Sequence, residues 1–278
     1  MSILDPIRQA LASSLPLSMG DRIADPPRDE FYVGYHPVAP RGLGRGAVLR
    51  GVTLLTLAAA VGVLFAVTQG PLETSTFEYG RTASYEGRLR EYPFPVLELP
   101  RPGVVEGRTP YSRYWLVAPG KHGAQALTQG EDERWVRLTG SLIYRQDQTM
   151  LEVVPGSVAP VEGRPKGEAA LVEDLGEWTV TGEIVDSKCF LGVMNPASRS
   201  VHRGCATRCL SGGIPPLLVV RDSTGPVGYL LLTGPQGEVI NRQLLSLAGL
   251  PVRATGMVQR DGEQLVMRVD ASTIEVVK

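Results

Sequence analysis

Histidine and cysteine are scarce in this chain, three of each, and the shortage of histidine leaves general acid–base chemistry few players. Charge of one sign is lacking too. The formal net charge is -1, so no long-range field gathers DNA, RNA or anionic lipid, and a nucleic-acid partner is not expected. Hydrolytic and nucleotide-binding signatures are missing: there is no G-x-S-x-G, no H-E-x-x-H, no P-loop and no Rossmann glycine fingerprint in context. The chain does not read as an enzyme.

One long hydrophobic run is present, GVTLLTLAAAVGVLFAVT at 51–68. It carries no charge and is long enough to cross a bilayer as a helix. A cleaved signal peptide begins near the N-terminus, whereas about fifty mostly polar residues precede this run, so it reads as an uncleaved single-pass anchor. Arg41, Arg45 and Arg50 crowd its N-terminal flank, and Glu73 and Glu78 stand against Arg81 beyond it. The positive-inside bias therefore places the N-terminus in the cytoplasm and the remainder outside, in a bacterium the periplasm. Ahead of the run, Ile3, Ile7, Leu11 and Leu15 have the spacing of a short amphipathic helix, followed by a Pro-rich stretch containing FYVGYHPVAP.

A repeat organises the rest. WVRLTGSLIYRQDQTMLEVV at 135–154 aligns without a gap with PVRATGMVQRDGEQLVMRVD at 251–270, a constant offset of 116, with identities at Val136 and Val252, Arg137 and Arg253, Thr139 and Thr255, Gly140 and Gly256, and Gln148 and Gln264. Each copy alternates apolar and polar residues, turns at a polar tip and alternates again, which is a β-hairpin. YEGRL at 85–89 and TGEIV at 181–185 read as matching first strands. In the second copy the order is strand 177–187, a Cys/His segment, strands 216–221 and 227–233, helix 240–249, and strands 252–260 and 264–277. Five strands with a helix between the third and fourth suit an OB-fold, with the Cys/His segment inserted after strand one. The first copy is less regular, because Pro93, Pro95, Pro100 and Pro102 punctuate its early strands. Tyr111, Tyr114 and Trp115 offer either a contact patch or a core.

The expected fold is thus mainly β, one N-terminal transmembrane helix followed by two tandem OB-like β-barrel domains. The boundaries are a cytoplasmic tail at 1–47, the membrane helix at 48–70, a first barrel at 71–165 and a second at 166–278.

All three cysteines cluster around one histidine: Cys189, then His202, Cys205 and Cys209. In H-x-x-C-x-x-x-C, at about 100° per residue, a helix places His202, Cys205 and Cys209 on one face, and Cys189 closes a tetrahedron. Thiolate and imidazole are soft or borderline ligands, so a Cys3His set suits zinc, with copper or iron as alternatives. The spacing matches neither a zinc ribbon nor C-x-x-C-H haem attachment nor a ferredoxin run. Two other readings stay open: a structural disulfide from Cys189 to Cys205 or Cys209, and a redox-active thiol pair at Cys205 and Cys209 with Cys189 resolving. Asp186 and Lys188 precede Cys189, and Arg203 and Arg208 flank the helix, where they either favour thiolate or form a solvated helix face, the latter being the reading for Arg203. Gly212-Gly213 and Pro215-Pro216 end that helix.

GEIVDSKCFLGVMNP followed by HRGCATRCLSGGIPPLLV resembles a group of largely uncharacterised bacterial exported or membrane-anchored proteins. They carry a Gly-x-[VI]-[VL]-Asp-x-x-Cys strand end, then His-x-x-Cys-x-x-x-Cys and a Gly-rich turn in an OB-like domain. Gly182, Asp186, Cys189, His202, Cys205 and Cys209 match, and nothing before residue 176 does. The resemblance implies a site and no enzymatic activity. The architecture is also similar to that of the periplasmic OB-fold haem chaperones of cytochrome c maturation, but their motif is absent, and His122 in PGKHGAQ reads as a solvated loop side chain. The expectation is a membrane-anchored accessory protein with a Cys3His metal site, serving a membrane-associated or periplasmic redox or metal-handling complex.

Overall fold

The computed structural model describes residues 41–68, 74–103, 111–163, 172–222 and 225–277. It divides into two compact units, Met1–Pro71 and Leu72–Lys278. In the first, helix α1 spans Arg41–Thr68, starting earlier than the expected span, and its Gly44–Thr68 segment is long and apolar enough to cross a membrane. Its threonines do not oppose that environment. The hydroxyls of Thr53, Thr56 and Thr68 each donate to the carbonyl four residues earlier, at 2.9, 2.8 and 2.8 Å, so all three are satisfied within the helix. The amphipathic helix expected near Ile3–Leu15 lies outside the described residues.

The second unit is mainly β. Its first sheet is built on β2 (Ala83–Arg90), β3 (Val96–Pro100), β4 (Tyr111–Ala118), β6 (Trp135–Arg145) and β7 (Gln148–Val153). β2 pairs with β3, β3 with β4, β4 with β7, β7 with β6 and β6 with β2, which closes a five-stranded barrel; β4 and β7 are parallel and the other pairs antiparallel. Short strands β1 (Thr76–Phe77) and β8 (Ala159–Pro160) add to β6, β5 (His122–Gly123) adds to β4, and a one-turn helix α2 (Gln125–Thr128) follows β5. The prolines fall in the β2–β3 turn and at the end of β3, where a missing N–H breaks no ladder.

The second sheet holds β9 (Val172–Asp186), β10 (Pro216–Asp222), β11 (Gly225–Thr233), β12 (Pro251–Asp261), β13 (Gln264–Arg268) and a short β14 (Glu275–Val276) on β12. β9 pairs with β10, β10 with β11, β11 with β13 in parallel, β13 with β12 and β12 with β9. Gly140 and Gly256 have a physical reason in common. A Cβ at Gly140 would press on the Glu152 carbonyl of β7, and one at Gly256 on the Arg268 carbonyl of β13, so each lets strands meet closely where the sheet bends. The first strand of this sheet runs longer than the expected 177–187, and the helix expected at 240–249 contracts to one turn, α4 (Asn241–Leu244), followed by turns.

Between β9 and β10 lie an irregular turn, Cys189–Val193, and helix α3 (Arg199–Ser211). Leu89, Leu97, Leu116, Leu138 and Leu151 fill the first barrel, and Ile184, Leu218, Leu230, Val252 and Met267 the second. A third cluster joins them: Phe94, Trp115, Ile143 and Met150 from the first barrel pack with Val185, Phe190, Leu191, Leu217 and Leu231. Trp115 is 1% exposed and so belongs to a core, not a contact patch. The first residues of the inserted turn, Cys189, Phe190 and Leu191, are buried in this junction. A Cβ on Gly192 would collide with the Thr76 carbonyl and touch Ile143, and the Arg145 guanidinium sits 4.3 Å above the Phe190 ring.

Polar contacts across the junction are reciprocal. At the tip of the β12–β13 hairpin, Asp261 accepts from Arg113 of β4 through its carbonyl and forms an ion pair with it through its carboxylate. At the tip of the β6–β7 hairpin, Gln146 Oε1 accepts from the Tyr229 hydroxyl of β11 at 2.5 Å. Each hairpin tip thus grips the third strand of the other barrel.

Candidate metal centre

β9 delivers Asp186 to the buried floor of the junction, and the chain turns at once. The Asp186 carboxylate makes that turn: Oδ1 accepts the Cys189 backbone N–H at 2.9 Å, as a capping carboxylate does at a helix start. Its Oδ2 lies 2.9 Å from His202 Nε2. Asp186 and His202 are both buried, so the carboxylate and the imidazole satisfy one another away from water.

On α3, the three- and four-residue steps from His202 to Cys205 to Cys209 bring all three onto the face that meets the turn, as the spacing predicts. Cys189 Sγ lies 3.8 Å from Cys205 Sγ and 3.9 Å from Cys209 Sγ. The three sulfurs lie within 4.8 Å of one another. A tetrahedron with metal–sulfur bonds of about 2.3 Å has edges of about 3.8 Å, so this is the separation of sulfurs that share one ion. No disulfide is formed, and all three cysteines are free. The fourth expected ligand is placed differently: His202 shares a second triad with Asp186 and Cys189, overlapping the sulfur triad only at Cys189.

The cation beside the sulfurs is not one of the expected arginines. Arg203 donates to the Ser246 carbonyl at 2.9 Å. Instead Lys121, in the β4–β5 loop of the first barrel, places Nζ 2.7 Å from Cys205 Sγ and 3.9 Å from Cys209 Sγ. That loop is fixed from two sides. The Gly123 N–H donates to the Gly212 carbonyl at 2.9 Å, and Gln125 Nε2 to the Gly213 carbonyl at 3.1 Å. From below, the buried Lys188 ammonium donates to the carbonyls of Ala118 and Gly120 at 2.8 and 2.7 Å and pairs with Glu152. Lys188, next to Cys189 in sequence, therefore holds the loop that presents Lys121.

Without an ion the sulfurs divide their protons. The Cys189 thiol is pushed up because it donates to Cys209, and burial and the Asp186 carboxylate act in the same direction. Cys209 is held below the usual thiol range by accepting that hydrogen bond, with Lys121 nearby. Lys121 is raised by its hydrogen bond to Cys205. A buried thiol, a favoured thiolate and a fixed ammonium make a site ready to exchange a proton for a metal cation.

The sequence reaches the three sulfurs and Asp186 but not Lys121, which stands 84 residues before Cys205. His122 itself is exposed on β5. Met194 was missed too: its Sδ is 3.7 Å from Cys205 Sγ.

Asp186→Ala removes the hydrogen bonds that hold both the Cys189 turn and His202. Metal affinity is expected to fall about 10–100-fold, the usual effect of losing an outer partner of a site. Asp186→Asn, which keeps an oxygen for the Cys189 N–H, should lose less, and competition against a chelator measures both. Compared with protein-family models and with curated proteins, the chain matches none.

Proposed function

We propose that this is a membrane-anchored accessory protein that holds a single metal ion at the junction of two tandem OB-like barrels. The observation that carries the reading is the convergence of Cys189, Cys205 and Cys209 to sulfur separations of 3.8 and 3.9 Å with no disulfide between them. Three thiolates meeting at that separation suit one ion; an iron–sulfur cluster shares its cysteines among two or more irons and needs a wider spread. His202, held by Asp186, forms a second donor group with Asp186 and Cys189 and borders that side of the site.

The OB-like assignment is supported by strand order, first–second–third–fifth–fourth with the third and fifth parallel, in both sheets. The tandem reading is supported by the hairpin tips, since Gln146 with Tyr229 and Gly262 with Arg113 are the same pair of positions under the sequence offset. The anchor reading rests on α1 and the arginines at its N-terminal end, which favour a cytoplasmic N-terminus and a periplasmic metal centre in a bacterial inner membrane. A membrane-associated redox or metal-handling complex is the partner such a placement suits. A cluster of soft thiolate donors suits binding and delivery of an ion.

A second reading has its own observation. The Cys189 thiol donates toward a favoured Cys209 thiolate at 3.9 Å, which is the arrangement of a thiol–disulfide pair. Full-length protein purified anaerobically in detergent separates the two. The metal reading expects about one equivalent of metal per chain. Metal-free protein with one titratable thiol overturns it and leaves the disulfide.

A further inference from the structure

We propose that Met194 supplies a fourth sulfur to this site and that the ion it selects is monovalent copper. The inference rests on the metal reading and names its ion.

Met194 follows the inserted turn, and its backbone N–H donates to the Cys189 carbonyl at 3.1 Å, which fixes where the side chain starts. Its Sδ is 3.7 Å from Cys205 Sγ, essentially the separation at which Cys189 Sγ stands from Cys205. His202 does not join the group around Cys205: its Nε2 faces Asp186 Oδ2 at 2.9 Å, and it gathers with Asp186 and Cys189 instead. The donors gathered around Cys205 are then sulfur only. Thioether is a poor ligand for zinc and for hard cations, whereas thiolate and thioether together suit the soft, monovalent cuprous ion.

Exposure gives the site a direction. Cys189 and Cys209 are 4% and 1% exposed, Cys205 is half-buried, and Met194 is 43% exposed. Buried thiolates form the floor, and the neutral thioether with Cys205 forms the mouth. A purely structural ion has no use for a solvent-facing ligand of low charge; an ion that is passed on leaves by such a ligand. Lys121, at 2.7 Å from Cys205, offsets the negative charge that three thiolates retain around a monovalent cation.

Reduced, full-length protein in detergent is titrated anaerobically with Cu(I) alone and, separately, with Zn(II) alone, each against a chromophoric chelator, for wild type and Met194→Leu. Leucine keeps the volume of this partly exposed side chain and removes only the sulfur. The expected result is one Cu(I) per chain, with affinity lowered about tenfold in Met194→Leu and Zn(II) affinity unchanged by the substitution. Equal Cu(I) affinity in both proteins overturns the role of Met194. Zinc bound without Cu(I) overturns copper while the metal site stands, and neither metal bound overturns both.

Discussion

Glu98→Ala is expected to destabilise the protein by about 3–5 kcal/mol, the range for breaking a buried ion pair from one side. Glu98 is 1% exposed and carries three arginines: Arg88 through Nε and Nη2 at 2.9 and 2.6 Å, Arg113 at 3.0 Å and Arg90 at 3.2 Å. Arg88 and Arg113 are themselves buried. Truncating the carboxylate leaves their charge where water cannot reach it. Asp261 offers partial relief to Arg90 and Arg113, with which it also pairs, and Glu133 to Arg88 at 3.4 Å, but Asp261 stands on the other barrel's hairpin and Glu133 is exposed. Because Arg113 is the residue that the β12–β13 tip grips, the loss should loosen the junction as well as the first barrel. The denaturation midpoint in urea measures it; a midpoint like that of wild type would mean the network is solvated and contributes little.

Cys209→Ser should empty the metal centre. The substitution is nearly isosteric on a buried face of α3, so the fold should survive and the stability change should be small. Serine's oxygen stays protonated where the thiolate would bind, and the site drops from three anionic sulfurs to two. Structural zinc sites with four ligands bind with about 10–16 kcal/mol, so one ligand is worth about 3 kcal/mol, a loss of about a hundredfold or more in affinity. Metal content by elemental analysis after dialysis reads it directly. Retained metal would place the ion elsewhere.

Local features were legible in the sequence. The alternation on either side of Arg145-Gln146-Asp147 and Arg260-Asp261-Gly262 marks the two hairpins, because a period of two with a polar tip has few other meanings. The H-x-x-C-x-x-x-C spacing carries the helix with it, and both Gly140 and Gly256 stand where a side chain would strike the next strand. What was not legible is long-range. Nothing near Lys121 announces a sulfur partner, since its position depends on the β4–β5 loop docking on the end of α3. The shared core is hidden likewise: Phe94 and Trp115 meet Phe190 and Leu191 only once both sheets have closed. For His202, spacing fixes the helix face but not its Asp186 partner, which depends on how β9 ends. The helix expected at 240–249 stops after Leu244, and Gly249, at φ 70, turns so that its N–H reaches the Ile184 carbonyl at 2.8 Å. The domain boundary expected near 165 lies outside the described residues.

X-ray absorption at the edge of the metal found in anaerobically purified, full-length protein tests the central claim most directly. The account expects one ion with three or four sulfurs at about 2.3 Å and no second metal atom nearby. A first shell of nitrogen and oxygen, or a metal–metal distance, would contradict a single ion held by Cys189, Cys205 and Cys209.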